Sequence, residues 1–239
     1  MNIHIGMIKE ICQLTSQLNI PLYGGGVRDW LLGELPKDLD FLLEPADVPN
    51  KITTFEIGLI AAKYHIDSSY QTKYGFGLSR RLTVRKMTIP EEHRIPIRID
   101  LTINQPSDCY CQESKEYPTH GCHCIPGSRR FDMDCNQLIC RFDQTHNMVG
   151  LTFHPRFTKF LRENSQISLS FVKKEVFERI LNREFLIIHT KCSSIKYLEG
   201  YKLKIRINSM IQRGWKCLNP QVCQDSDCYA NLSVQLESQ

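Results

Sequence analysis

Apolar residues recur along the chain with two different periods, and the period predicts the secondary structure of each segment. Over residues 1–18 they recur at helical spacing between charged and polar positions, which predicts an amphipathic helix rather than a signal peptide. The same spacing predicts a packing helix over residues 51–66, with Gly58 inside it. Residues 78–87 and 95–103 are typical of strands, and the second of these alternates strictly between apolar and polar positions.

The pattern changes in the second half of the chain. Residues 140–151 predict two strand edges around a polar turn, and the apolar residues between 157 and 188 suit helices. The stretch from Lys202 to Ile207 alternates basic and aliphatic residues, and this period of two predicts a strand. The C-terminal region is therefore predicted to be helical with one strand-like segment.

Residues 22–43 combine a glycine-rich turn, a short helix and a strand. Gly24, Gly25 and Gly26 let the backbone approach a ligand closely, and the apolar residues that follow suit one short helix. The first N–H groups of such a helix favour an anion, so this segment is a candidate phosphate site. A plain turn that binds nothing is the alternative interpretation. Gly33 is typical of the residue that ends a helix.

Three aspartates are candidate metal ligands. Asp38 and Asp40 lie two residues apart in a predicted strand, so both side chains share one face and their Cα atoms are roughly 7 Å apart. Asp100 belongs to the polar face of the strand over residues 95–103 and is the natural third carboxylate. Such a set of oxygens suits a pair of divalent cations bound together with a triphosphate. The alternative is that each aspartate lies on a solvated strand surface.

Two segments of the chain resemble motifs of one enzyme family, and the position of Asp100 between them resembles the acidic strand residue of the same superfamily. Residues 22–43 resemble the signature G-G-x-V-R-D-x-L-L-G followed by D-x-D of class II nucleotidyltransferases. This group contains CCA-adding enzymes and bacterial poly(A) polymerases within the DNA polymerase beta-like superfamily. The matching residues are Gly24, Gly25, Val27, Arg28, Asp29, Leu31, Leu32, Gly33, Asp38 and Asp40.

The second segment, residues 130–138, resembles the family motif R-R-D-F-T-I-N-A-L. The residues that match are Arg130, Asp132, Asn136 and Leu138. Phe131 replaces the second arginine, Asp134 replaces the threonine and Cys135 replaces an aliphatic residue. The family's base-selecting E-D-x-x-R motif has no clear counterpart, since residues 178–183 are at best a remnant of the neighbouring arginine-rich helix.

The resemblance implies a fold and a domain division. It implies an α+β nucleotidyltransferase fold, a mixed and antiparallel-rich sheet with flanking helices, followed by a smaller and mainly helical region. On this basis residues 1–151 form the nucleotidyltransferase head domain, with a cysteine-rich insertion at 105–128. Residues 152–239 form a neck-like C-terminal region.

The resemblance also implies roles for the matching residues. Asp38, Asp40 and Asp100 would be catalytic and would hold Mg²⁺. The triphosphate and the rest of the nucleotide would be bound by Gly24, Gly25, Arg28, Arg130, Asp132 and Asn136. The implied activity is template-independent transfer of NMP from ATP or CTP to the 3′ end of tRNA or another RNA. The short chain favours poly(A)-like tailing or transfer to a small acceptor over full CCA addition.

A binding function is the alternative to catalysis. In that hypothesis a catalytically reduced nucleotidyltransferase fold holds RNA or a protein partner through a zinc-stapled loop. The three carboxylates favour the enzyme, because mutually repelling charges on one face need a physical reason such as a bound cation.

Composition limits the partners. The chain has 239 residues, of which 41% are hydrophobic and 23% charged, so it can bury a sizeable core. A net charge of +4 makes no strong case for nucleic acid by itself. Basic residues cluster over 73–98 and 202–216, which suits either a basic groove or two solvated faces. No run of about 18 apolar residues is present, so we expect no membrane partner.

Cysteines form a separate constellation. The predicted N-terminal helix is not a signal peptide, so we expect a cytoplasmic protein whose 11 cysteines are reduced and ligate metal more readily than they form disulfides. Two C-x-C pairs, Cys109 with Cys111 and Cys122 with Cys124, are candidate ligands for one Zn²⁺ ion. Reduced surface thiols are the alternative. A second trio lacks an obvious fourth ligand and consists of Cys217, Cys223 and Cys228.

Overall fold

The structure is a computed structural model that describes residues 3–44, 48–74, 77–103, 133–145, 147–164, 168–188 and 198–220. The chain divides into two compact units. The first consists of residues 1–110 and 138–154, and the second of residues 111–137 and 155–239. Each unit is described by itself.

A seven-stranded sheet forms the centre of the first unit, with the strand order β3-β4-β5-β2-β1-β6-β7. The strands are β1 (Leu22–Tyr23), β2 (Asp38–Leu43), β3 (Tyr64–Tyr74), β4 (Gly77–Lys86), β5 (Ile97–Ile103), β6 (Leu138–Phe142) and β7 (Met148–Phe153). Strands β2 and β5 pair in parallel, and the other neighbouring pairs are antiparallel. The predicted mixed, antiparallel-rich sheet is therefore confirmed.

Two helices cover one face of this sheet. They are α1 (Ile3–Gln17) and α3 (Val48–Ala61), while the short helix α2 (Gly25–Leu31) follows β1. The ring of Phe55 in α3 packs against Phe41 in β2, with 6.5 Å between ring centroids. The Tyr64 hydroxyl donates a hydrogen bond to the Glu10 carboxylate in α1 at 2.8 Å and lies 3.2 Å from the backbone oxygen of Met7. The predicted N-terminal helix is confirmed.

The prediction of a helix over residues 51–66 is wrong at both ends. Helix α3 begins at Val48 and ends at Ala61, and Tyr64 already belongs to β3. Lys63 adopts a left-handed backbone conformation with φ 63°, which stops the helix and turns the chain into the strand. Tyr64 fits the helical spacing of apolar residues in the sequence. Its side chain is indeed buried, but it belongs to strand β3 and not to the helix.

Alternation along β2 decides which way the aspartates point. Leu39, Phe41 and Leu43 are 0% exposed and lie on the helix-covered face. Burying one such side chain stabilises the fold by about 1.5–3 kcal/mol. A one-residue slip of register would exchange these residues with Asp38 and Asp40, so the apolar residues fix the carboxylates on the opposite face.

The second unit is mainly helical in its described residues. Its helices are α4 (Pro155–Asn164), α5 (Leu169–Leu181) and α6 (Leu198–Gln212), and two short strands, β8 (Glu184–Phe185) and β9 (Lys216–Cys217), pair in parallel. The Ser168 hydroxyl caps α5 by accepting a hydrogen bond from the Phe171 backbone N–H. The helices predicted between residues 157 and 188 are confirmed as far as Leu181, but the prediction is wrong for Phe185, which lies in β8.

The strand predicted from Lys202 to Ile207 is wrong, because this stretch lies inside helix α6. Ile207 and Met210, which are three residues apart, are both buried. This helical spacing continues past the end of the alternating stretch. A six-residue alternation of basic and aliphatic residues fits both structures, and the buried positions further along decide between them.

Candidate functional site

Strand register places two of the predicted aspartates side by side. Asp40 in β2 is the direct partner of Asp100 in β5, on neighbouring strands that lie about 4.8 Å apart. Asp38 is the partner of Arg98 in the same pairing, one step along the same face. We call this side of the sheet the carboxylate face, defined by Asp38, Asp40 and Asp100. All three aspartates are half-buried, so the carboxylate face remains accessible to a ligand.

Basic side chains accompany the aspartates on the carboxylate face. Arg81 in β4 is the register partner of Asp100 and donates hydrogen bonds to both carboxylate oxygens, at 2.5 and 2.8 Å. Arg98 is exposed and lies on the same face beside Asp38. A negative centre is thus flanked by positive charge, an arrangement that suits a cation and an anionic ligand bound together.

The glycine-rich turn begins next to Asp40. Tyr23 is the register partner of Asp40, and Gly24 follows it directly. Gly24 adopts φ 74° and ψ −140°, a conformation that only glycine adopts without strain, and its N–H donates to the Leu138 oxygen at 2.9 Å. Helix α2 starts at Gly25. Glycine at position 24 is therefore required by the backbone, whatever the turn binds.

Arg28 and Asp29 form a buried ion pair within α2. Their exposed fractions are 5% and 3%, and Arg28 donates from Nε and Nη2 to one Asp29 oxygen at 2.8 and 2.6 Å. A Cβ atom built on Gly25 would lie 3.4 Å from Nη2 of Arg28. The guanidinium therefore lies beside the glycine turn and is held there by Asp29. A phosphate contact of Arg28 stays a prediction.

The structure describes the second motif only in part, and both C-x-C pairs lie outside the described residues. Arg130, Asp132, Cys109, Cys111, Cys122 and Cys124 lie outside the described residues, and so do Cys223 and Cys228. Asn136 is half-buried in a 3₁₀ turn over Asp134–Asn136 in the second unit. Among the described residues no group of three or more His, Cys, Asp or Glu side chains is arranged to hold a metal ion. The zinc site stays a prediction.

Asp134 is a buried charged residue whose contacts the sequence did not predict. It is 4% exposed and accepts hydrogen bonds from Arg179 Nε and from the backbone N–H groups of Leu186 and Cys135, each at 2.8 Å. Burial raises the pKa of the Asp134 carboxyl, and the hydrogen bonds and the Arg179 charge oppose that rise. The sequence feature that could have indicated its burial is an aspartate between two apolar residues, at the position where the family motif has threonine.

The donor chemistry of the carboxylate face fits magnesium in part. Carboxylate oxygens are the ligands that Mg²⁺ prefers, and Asp38 and Asp40 supply them from one strand. Both oxygens of Asp100 accept hydrogen bonds from Arg81. Asp38 and Asp40 therefore supply oxygens of the right chemistry for the ion, whereas both oxygens of Asp100 are shared with Arg81.

Among the described residues, no helix is both long enough and apolar enough to cross a membrane.

No protein-family model and no curated protein matches the chain.

Among solved structures, the chain is similar to a CCA-adding enzyme in complex with CTP (14% identity, TM-score 0.45) and to an apo form of a CCA-adding enzyme (15%, 0.42). A Thermotoga maritima CCA-adding enzyme complexed with tRNA gives 14% identity and a TM-score of 0.33. These matches cover 89%, 89% and 87% of this chain but 40%, 39% and 50% of those chains. The chain therefore spans no more than half of their length. TM-scores in this range do not establish a common fold, so the function has to be inferred from the residues of the site.

Proposed function

We propose that the chain has a nucleotidyltransferase fold and transfers NMP from ATP or CTP to the 3′ hydroxyl of an RNA such as tRNA, with Mg²⁺ as cofactor. The observation that carries this proposal is the placement of Asp38, Asp40 and Asp100 on one sheet face, beside the glycine turn that starts at Gly24. The family signature of class II nucleotidyltransferases covers the same segment of the sequence.

Each residue has a distinct task in this proposal. Asp38 and Asp40 would hold the magnesium ions, which when bound neutralise the triphosphate and lower the pKa of the attacking hydroxyl. The 3′ hydroxyl loses its proton to solvent, its oxygen forms a bond to the α-phosphorus, and the bond from that phosphorus to the leaving pyrophosphate breaks. Gly24 and Gly25 would let phosphate oxygens approach the backbone, and the Arg28 guanidinium, paired with Asp29, lies beside Gly25.

The remaining motif residues complete the nucleotide site in this proposal. Arg130 and Asp132 would hold the nucleotide, and Asn136 would support the site next to them. Arg98, exposed on the carboxylate face, would attract the polyanionic substrates to the aspartates.

A catalytically inactive binding module is the second candidate, and one observation favours it. Both oxygens of Asp100 accept a hydrogen bond from Arg81, so this carboxylate already has a counter-charge without any metal. Repulsion among the carboxylates is correspondingly smaller, and the physical argument for a cation is weaker than the sequence alone suggests.

One experiment separates the two candidates. Purified protein is incubated with each labelled triphosphate, Mg²⁺ and either tRNA or oligo(A), and 3′ extension is followed by gel electrophoresis. The matched control is Asp67→Asn, which removes a carboxylate of the same sheet that pairs with Arg85. We expect extension by the wild type and by Asp67→Asn, and none by Asp38→Asn. Absence of extension with every triphosphate and both acceptors would favour the binding module.

A further inference from the structure

Arg81 and Asp100 form a two-pronged pair on the carboxylate face. The strands β4 and β5 place them opposite each other, and the guanidinium donates from Nε to one oxygen and from Nη2 to the other. The side chain of Asp100 is 17% exposed and that of Arg81 is 33% exposed. The pair is therefore held in a defined geometry but remains reachable from solvent.

A divalent cation and this guanidinium make conflicting demands on Asp100. A metal ion needs a lone pair of a carboxylate oxygen pointed at it, and Arg81 takes one lone pair on each oxygen. A cation shared between Asp40 and Asp100 would also lie within a few ångströms of the positive guanidinium. Repulsion at such a distance is substantial in a half-buried site.

We infer that Arg81 is a resident counter-ion that competes with the divalent cation for Asp100. This inference rests on the proposed function. In the metal-free protein Arg81 neutralises Asp100 and limits the repulsion among the three aspartates. Full coordination by Asp100 requires Arg81 to release it, so the protein holds its metal more weakly than three free carboxylates would.

The neighbouring residue of β4 provides a matched control. Arg80 points to the helix-covered face and pairs with Glu56 of α3 at 2.9 Å, with side-chain exposures of 28% and 23%. Removing Arg80 changes the net charge by the same amount as removing Arg81. The two variants therefore separate a local effect on Asp100 from a general effect of charge.

The test is Mn²⁺ binding, measured as the loss of the free-ion EPR signal, for the wild type, Arg81→Met and Arg80→Met. We expect Arg81→Met to bind Mn²⁺ about tenfold more tightly than the wild type, and Arg80→Met to stay within about twofold of it. The gain should vanish in Arg81→Met combined with Asp100→Asn. A purely structural role of Arg81 predicts equal or weaker binding, and that result would overturn the inference.

A second variant covers the case in which Arg81→Met does not fold. Arg81→Lys keeps the charge but loses the two-pronged contact, so it should tighten Mn²⁺ binding by a smaller factor. Affinity equal to or below that of the wild type would again refute the competition.

Failure of the proposed function gives a different result. If Asp38→Asn combined with Asp40→Asn binds Mn²⁺ as tightly as the wild type, the aspartates are not the metal site, and both proposals fail. If that double variant loses binding while Arg81→Met leaves affinity unchanged, only the role of Arg81 fails.

Discussion

The two faces of the seven-stranded sheet use the same chemical pair in different surroundings. On the helix-covered face Arg80 reaches Glu56, a residue of the helix that packs there. On the carboxylate face Arg81, its neighbour in β4, reaches Asp100 beside two further aspartates. Alternation along one strand thus sends adjacent arginines to opposite sides.

The difference shows that the role of a salt bridge depends on the charged groups around it. Arg80 and Glu56 join strand β4 to helix α3. Arg81 and Asp100 stand where a second negative group, Asp40, is one strand away. There the same contact sets the charge next to Asp40, which is one of the proposed metal ligands.

The largest expected effect tests the carboxylate face directly. Asp38→Ala or Asp40→Ala should lower nucleotide transfer by about 10³-fold or more, because each substitution removes a proposed metal ligand. The fold should persist, since removing one of several like charges relieves repulsion. Transfer rates and circular dichroism of the same preparations measure the two effects.

The helix-covered face supplies the control for this prediction. Glu56→Gln removes a carboxylate from the opposite side and should leave transfer unchanged, at a stability cost of no more than about 1 kcal/mol. Equal losses of activity in Glu56→Gln and Asp38→Ala would mean that the two faces do not differ in function.

A third ion pair, in the second unit, extends the comparison because its two side chains are less exposed to solvent. The side chains of Asp134 and Arg179 are 5% and 16% exposed, less than either pair of the sheet. Asp134→Asn should lower the free energy of unfolding by about 3 kcal/mol, because it leaves Arg179 without its buried counter-charge. Urea unfolding measures this, with Glu178→Gln as control, because Glu178 lies in the same helix as Arg179 and its side chain is exposed. A loss of unfolding free energy no larger than that of Glu56→Gln would show that burial does not determine how much these ion pairs contribute to stability.

The glycine turn next to Asp40 can be tested through Gly25. In Gly25→Val the new side chain starts 3.4 Å from Nη2 of Arg28 and occupies the space by which phosphate would reach the backbone. Triphosphate affinity should fall by about tenfold or more, as measured by equilibrium dialysis with labelled ATP and CTP. Gly33→Ala, at a left-handed position with open space around it, is the control for strain alone. Unchanged affinity in Gly25→Val would contradict the phosphate site.

The placement of the aspartates on one face of the sheet could be predicted, because it depends on the alternation of residues within single strands. The aspartates of β2 are two residues apart and are separated by buried Leu39, so periodicity alone assigned them to one face. The strand that carries Asp100 was predicted for the same reason. Gly33 was predicted as a helix end, and it does follow α2 with φ 68°.

What could not be predicted depends on partners that are distant in sequence. Arg81 lies opposite Asp100 because of the register between β4 and β5, and the sequence pattern within either strand does not fix that register. Asp134 finds Arg179 across 45 positions. The segment of Lys202 was assigned to the wrong structure because six residues satisfy two periods, and packing beyond them decides.

The smallest expected effect concerns two thiols in the interior of the first unit. Cys12 and Cys140 are buried, with exposed fractions of 0% and 1%. Burial raises the pKa of Cys140 to about 12, and burial together with the neighbouring Cys140 raises the pKa of Cys12. Both thiols are thus neutral in the folded protein under alkaline conditions that ionise them in the unfolded chain.

The sign of the pH dependence follows from these raised values. Below about pH 8.5 the Cys140 thiol is protonated in both states, and above it the unfolded chain alone releases the proton until the folded pKa is reached. The free energy of unfolding should therefore fall between pH 8 and 9.5, and Cys140 should account for about 1 kcal/mol of the fall. Urea unfolding of the wild type and of Cys140→Ala measures that share, because other titrating groups cancel in the difference. If the two proteins lose stability equally, Cys140 ionises in the folded state, and the interior of the first unit is less well shielded from solvent than the burial of its thiols indicates.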